Sequence, residues 1–344
     1  MPPNRERYSR QVRFAGIGEE GQQRLGRSRV LIVGCGALGS VVAETLVRAG
    51  VGHTTLVDRD FLEVSNLQRQ VLFDEQDVAD GLPKAVAAAS KLRRINSDVD
   101  VEPVVADVTH QNLADLAAAA DVIVDGTDNF ETRLLINDFA VSATKPWVYG
   151  GCLGAEGQVL AIVPGRSACL ACLVPEPPAP GDTPTCDTAG ILGTAVNVVA
   201  SLQATEALKL LVGAEGAVSR QLMVVDLWRN RVRSIDVDGL HPPGECPTCD
   251  RREFPWLEGR RGSEAAILCG RNSVQLRPSA ATKLDLPTLA ERLSRVGQVT
   301  CNRFLLRLSV DASGFTLFSD GRVIVSGTED PAEARTLASR YLGL

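Results

Sequence analysis

The hexapeptide GCGALG at residues 34–39 lies between SRVLIVG (28–34) and SVVAETLVRAG (40–50). The first flank is a compact run of β-branched apolar residues, which predicts a strand. The second repeats its apolar residues at helical spacing and closes at Gly50 and Gly52, which predicts a helix. HTTLVDRD (53–60) reads as the next strand. A Gly-x-Gly-x-x-Gly turn inside a βαβ unit restricts the fold strongly. Gly34 allows the tight turn, Gly36 lets a phosphate or ribose approach the backbone, and Gly39 lets helix and strand pack closely. The helix N-terminus behind the turn attracts anions. Asp58 ends the second strand about 20 residues beyond, where an acid can hold ribose hydroxyls. By itself the unit signals an adenine nucleotide; the bland alternative is a turn that binds nothing.

Strand and helix go on alternating. Strands are predicted at 99–107, 121–129 and 146–154, and helices at 84–96, 112–120 and 131–145. The expected fold is α/β, a Rossmann-like doubly wound and mainly parallel sheet. After residue 150 the pattern changes. GQVLAIVPG (157–165) opens an antiparallel extension, residues 172–190 form a proline-rich loop, and 189–213 a long apolar helix. A hairpin over 221–228 and 230–237 and the segment HPPGECPTCD complete a first domain, residues 1–253. Residues 254–344 read as a small C-terminal α+β module of order βαβββα, with no role legible in its residues.

The chain has 344 residues, 44% of them hydrophobic, enough for a sizeable core. A formal net charge of −6 and 4% aromatic residues argue against a nucleic-acid partner. No apolar run approaches the length of a membrane span, so the expectation is a cytoplasmic protein with no membrane partner.

A nicotinamide leaves the next stretch without work. Ser65, Asn66, Leu67, Gln68 and Arg69 leave the ribose acid as one polar segment, and Lys84 opens a helix. An Arg and a Lys converging on one anion suit a triphosphate whose charge must be balanced while a bond at phosphorus breaks. GTDN brings Asp128 and Asn129 to the carboxyl end of a sheet strand, where open α/β sheets bind ligands. A carboxylate beside phosphates suits Mg²⁺. The competing readings are solvated surface charge, an NAD-dependent oxidoreductase sharing the glycine turn and Asp58, and a non-catalytic scaffold.

RYSRQ (7–11), GCGALG, DRDFLEVSNLQRQ (58–70), Lys84, GTDN and two CxxC pairs occur in this order. In these motifs, over about residues 5–250, the chain resembles the ubiquitin-activating-like adenylyltransferases, above all those that activate sulfur-carrier proteins for molybdopterin and thiamine synthesis. The resemblance implies an enzyme that binds MgATP and the Gly-Gly tail of a ubiquitin-like carrier. The tail carboxylate attacks the α-phosphate, giving an acyl-adenylate and pyrophosphate. Asp58 then holds the ribose, Asn66, Arg69 and Lys84 the phosphates, and Asp128 the Mg²⁺. Arg10 reaches the nucleotide of a neighbouring subunit, which implies a homodimer. Ala37 stands where the family often has glycine, a methyl that narrows the backbone approach slightly.

Nine cysteines is a high count. Cys169/Cys172 and Cys246/Cys249 form two CxxC pairs, which in a reducing compartment favour a metal over disulfides. Four thiolates make a closed tetrahedral Zn²⁺ site with a structural role; the resemblance supports bringing the distant pairs together. Cys186, before the long helix, gains thiolate character if it lies at the helix N-terminus, and the resemblance makes it a candidate for a thioester or persulfide-linked adduct. Cys35 and Cys152 read as packing residues, Cys301 as a strand-edge residue and Cys269 as a buried or edge cysteine rather than a rhodanese-type nucleophile. His53, His110 and His241 are scattered and receive no role.

Overall fold

The computed structural model describes residues 6–178, 186–240, 244–262, 265–268, 272–276, 284–311 and 313–343. They fall into two compact units: the described residues of 1–179 and 189–261, and those of 180–188 and 262–344.

The first unit is built on an eight-stranded sheet. In chain order the strands are β1 Arg29–Val33, β2 His53–Val57, β3 Asp100–Val104, β4 Val122–Asp125, β5 Trp147–Leu153, β6 Glu156–Ile162, β7 Leu222–Asp226 and β8 Arg231–Ile235. Their spatial order is β3-β2-β1-β4-β5-β6-β7-β8. The first five run parallel and the last three add antiparallel. This is the doubly wound sheet with an antiparallel extension expected from the sequence. Strand order reverses beside β1, which leaves a crevice at the carboxyl ends of β1, β2 and β4.

Alternation along β1 divides the core. Val30 and Ile32 face one cluster, with residues of the helices Ala37–Ala49, Lys84–Ile95 and Gly193–Leu211. Leu31 and Val33 face the other, with residues of Leu113–Ala117 and Phe130–Ser142 and with Cys169 and Cys246. Phe254, Trp256 and Leu257 pack against this second cluster too. Residues 254–261, which composition groups with the C-terminal module, therefore complete the first unit's core.

The second unit is a six-stranded antiparallel sheet with two helices, Leu286–Leu293 and Pro331–Leu342. Its strands are β9 Ala265–Leu268, β10 Ser273–Leu276, β11 Gln298–Cys301, β12 Leu305–Val310, β13 Ser313–Phe318 and β14 Val323–Ser326. Two strands exceed the sequence expectation. The single strand read over 265–278 is a hairpin, with Ser273 opposite Leu268. β11 carries a weak apolar signal, because Gln298 and Thr300 interrupt it. Cys301 ends this edge strand, and Cys269 lies outside the described residues.

The N-terminal segment is pinned far from the crevice. Tyr8 is buried against Gly50, and the Asn96 amide donates to its hydroxyl at 2.8 Å. Gln11 Nε2 donates to the Ala49 carbonyl at 2.8 Å. Gly50 has φ +85°, and a Cβ there would lie 2.6 Å from the Tyr8 ring. Gly50→Ala should therefore strain the backbone and eject Tyr8, costing about 1–2 kcal/mol. Limited trypsin digestion should then cut after Arg10 or Arg13 well before the parent is cut; equal rates would contradict this anchoring.

Candidate nucleotide site and four-cysteine centre

Three glycines bring the crevice walls together. Gly34 has φ +90°, and a Cβ on it would meet the Gly126 carbonyl oxygen at 2.6 Å. A Cβ on Gly39 would lie 1.9 Å from the Gly34 carbonyl oxygen, and one on Gly126 2.5 Å from it. Backbone amides complete the junction: Gly34 N–H donates to Val57 and Gly126 N–H to Val33, both at 2.7 Å. Gly126 is thus as constrained as the motif glycines. Gly36 differs: its nearest neighbour for a Cβ is the Gln70 amide nitrogen at 3.8 Å, so its backbone faces open space. Gly36 caps the helix that starts at Ala37, and no side chain caps that end.

Asp58 is fixed by backbone amides. Asp58 accepts from Cys35 N–H at 2.6 Å and Asp60 N–H at 2.7 Å. Burial pushes its carboxyl above the ordinary range, against the pull of the nearby Lys84 charge. Lys84 is itself only 4% exposed and donates to Asp60 at 3.1 Å. The sequence reading gave Lys84 to phosphates alone; the fold also supplies it with a counter-ion.

The segment 63–70 folds back on itself as a short 3₁₀ turn, Val64–Asn66. Buried Asn66 accepts from Glu63 N–H at 3.1 Å, and Arg69 donates to the Ser65 carbonyl at 2.9 Å. Ser65 and Gln68 are exposed, and Leu67 packs against the core. Gln70 is 4% exposed, and its amide oxygen has no partner among the described residues. The long helix Gly193–Leu211 begins against this segment, since a Cβ on Gly193 would lie 3.0 Å from the Gln68 carbonyl oxygen.

Asp128 is exposed at the β4 end, while Asn129 accepts from Thr132 N–H at 2.8 Å and caps the helix Phe130–Ser142. The loop carrying both is held by a pair the sequence reading passed over. Arg133 donates to Asp125 at 3.0 Å and to the carbonyls of Thr127 at 2.6 Å and Gly150 at 3.1 Å. Asp125 also accepts from the Thr127 N–H and hydroxyl. Burial drives the Asp125 carboxyl up, opposed by Arg133. The only sequence trace is an acid and a base flanking GTDN in DGTDNFETR.

Arg10 and Cys186 lie on short helices of their own. Arg10 is exposed on the helix Ser9–Val12, whose neighbours Tyr8 and Gln11 contact Gly50 and Ala49 at the end of the helix Ala37–Ala49 remote from the glycine turn. Cys186 begins a four-residue helix, Cys186–Ala189, and its side chain lies outside the described residues. That helix stops at Gly190 with φ +76°, and residue 191 bridges to Gly154. The long helix starts only at Gly193, so its N-terminus is not at Cys186.

The two CxxC pairs converge. Sulfur–sulfur distances are 3.7 Å for Cys169–Cys172 and Cys169–Cys246 and 3.5 Å for Cys172–Cys249. All four ligand atoms lie within 4.8 Å of one another. Tetrahedral Zn–S bonds of about 2.3 Å require sulfur spacings of about 3.8 Å, so the donor set fits. The helix Phe130–Ser142 orients both pairs. Asn137 donates to Cys169 Sγ at 3.7 Å and accepts from Leu170 N–H at 2.8 Å. Asp138 accepts from the Thr248 hydroxyl at 3.3 Å and from Trp256 N–H at 2.9 Å.

A doubly wound α/β unit with a nucleotide-type glycine turn and a closed four-cysteine centre defines a narrow class. Residues 8–248 match the ThiF family, and the chain belongs to it. It is 46% identical over 338 residues to the sulfur carrier protein ThiS adenylyltransferase of Bacillus subtilis strain 168, covering 98% of this chain and 99% of that one. It is 41% identical over 249 residues to the sulfur carrier protein adenylyltransferase of Thermus thermophilus, covering 71% and 90%. The solved structure of E. coli MccB with ATP shares the fold, with a TM-score of 0.62 at 24% identity, covering 72% and 75%.

Cys172→Ser should lower bound zinc, measured by native mass spectrometry, and reduce the melting midpoint by about 10 °C. An unchanged metal content would exclude the four-cysteine centre as the zinc site.

Proposed function

We propose that this chain is an ATP-dependent adenylyltransferase acting on the terminal Gly-Gly carboxylate of a ubiquitin-like sulfur-carrier protein. The observation that carries this is the crevice at β1. It joins a helix N-terminus at Gly36 without a side-chain cap, the ribose-type acid Asp58 and the cation Lys84 in one chain, and its relatives bear adenylyltransferase names. A carrier of the ThiS type is favoured, because the Bacillus relative matches through the C-terminal unit as well.

In this reading Asp58 holds the ribose, and the backbone from Gly34 to Gly39, with Ala37 opening the helix, lies along the phosphates. Ser65, Asn66, Leu67, Gln68 and Arg69 wall the phosphate tail. Arg69 and Lys84 offset the charge that builds up as the tail carboxylate displaces pyrophosphate. Positioning two reactants supplies most of the acceleration, since the reaction needs little covalent help from the protein. Asp128, with Asn129 beside it, would hold Mg²⁺, which would neutralise phosphate charge when bound. Cys169, Cys172, Cys246 and Cys249 would hold Zn²⁺ as a structural tie. Cys186 remains a candidate for a later covalent step with the carrier.

Incubation with MgATP and a panel of Gly-Gly-ended carriers should give a carrier acyl-adenylate by intact mass. Lys84→Ala should slow its formation about 100-fold or more. No adenylate with any carrier would sink the reading.

The placement of Arg10 favours a homodimer with shared sites: it is exposed on a helix packed by Ala49 and Gly50, away from its own glycine turn. Arg10→Ala and Lys84→Ala chains, each inactive alone, should recover about a quarter of parental activity when unfolded and refolded together, because half the dimers are mixed and each of those has one complete site. No recovery would place Arg10 outside a shared site.

A further inference from the structure

Arg59 has no part in the site read from the sequence. It follows the ribose acid directly, beyond the last β2–β3 ladder bond, from Asp58 N–H to the Val104 carbonyl. Its guanidinium donates to Asp107 at 3.0 Å through Nη1, and its Nε lies 3.8 Å from Asp60. Burial by itself would lower its pKa, but the carboxylates of Asp107, Asp60, Asp128 and Asp58 raise it. One cation therefore lies within electrostatic reach of acids following β2, β3 and β4, the loops that border the crevice.

The orientation limits what this side chain can do. Asp107 holds one edge of the guanidinium by a hydrogen bond, and Asp60 lies at ion-pair distance from its Nε. Other arginines cover aromatic rings, but among the described residues no ring lies over Arg59. Its side chain is 21% exposed, so part of it remains open to a ligand. A nucleotide with its ribose on Asp58 and its phosphates on the glycine turn must send its base away from the phosphates, past the β2 end. A planar cation held at that place is a stacking surface for a base.

We propose that Arg59 reads the base of the bound nucleotide, its braced guanidinium lying against the face of a purine. This rests on the adenylyltransferase reading, in which Asp58 holds the ribose. Asp107 would then be a positioning residue that keeps the guanidinium plane fixed.

Calorimetric titration of the full chain with ATP and with CTP, each with Mg²⁺ and without carrier, tests it. The parent should prefer ATP. Arg59→Ala, with an unchanged circular dichroism spectrum, should bind ATP about tenfold more weakly and narrow the gap between ATP and CTP. Arg59→Lys keeps the charge and loses the plane; it should restore attraction for both triphosphates without restoring the gap. Asp107→Asn should weaken ATP more than CTP. If the parent prefers ATP and Arg59→Ala keeps the same preference, or if Arg59→Lys matches the parent, base reading by Arg59 is overturned while the adenylyltransferase reading stands. If the parent binds neither nucleotide, both fall.

Discussion

The crevice exists because three backbones touch without side chains between them. Gly34 ends β1, Gly39 lies in the first turns of the following helix and Gly126 follows β4, and a single methyl at any of them would overlap main-chain atoms. This contact draws the helix N-terminus onto the sheet at the point where strand order reverses. Asp58 is placed by the same arrangement, because its carboxylate accepts from the Cys35 amide inside the turn. The anion-attracting helix end and the ribose-type acid are thereby fixed relative to one another by hydrogen bonds to backbone rather than by mobile side chains.

Around that frame the protein stores charge in pairs. Lys84 rests on Asp60, Arg59 on Asp107 and Arg133 on Asp125. A buried unpaired charge would be expensive, so each cation needs an acid before any ligand arrives. The pairs differ in consequence. Arg133 also bonds two carbonyls and is locked, so it shapes the loop bearing Asp128. Lys84 and Arg59 border the crevice, where a polyanion can share them.

The helix Phe130–Ser142 links two parts of the unit that serve different ends. Asn129 caps its start beside Asp128, and Asn137 and Asp138 in its middle hold the two cysteine pairs. Removing the four-cysteine tie would loosen the middle of the element whose start shapes the crevice. A structural metal can in this way matter to a site it never touches.

The local motifs were legible in the residues. The βαβ unit, the glycine turn, Asp58 and the CxxC pairs each depend on short spacings, and a backbone turn or ligand pair needs little else. The polar segment 65–70 was legible as well, but Gln70 was passed over because nothing local marks a buried amide. Arg59 and the Asp125–Arg133 pair were missed for a related reason: charged residues in sequence look solvated until neighbouring strands enclose them. The long helix does not begin at Cys186, because a left-handed glycine at 190 separates the short helix Cys186–Ala189 from it. The second unit's first hairpin was read as one strand, since alternation alone does not show where a strand reverses. The sequence by itself determined most elements of the first unit and the class of the fold, which follow from neighbours a few residues apart. Only the tertiary structure decided which cations are paired, that the distant cysteine pairs meet, and that Arg10 stands away from its own crevice, because these depend on distances between segments far apart in the chain.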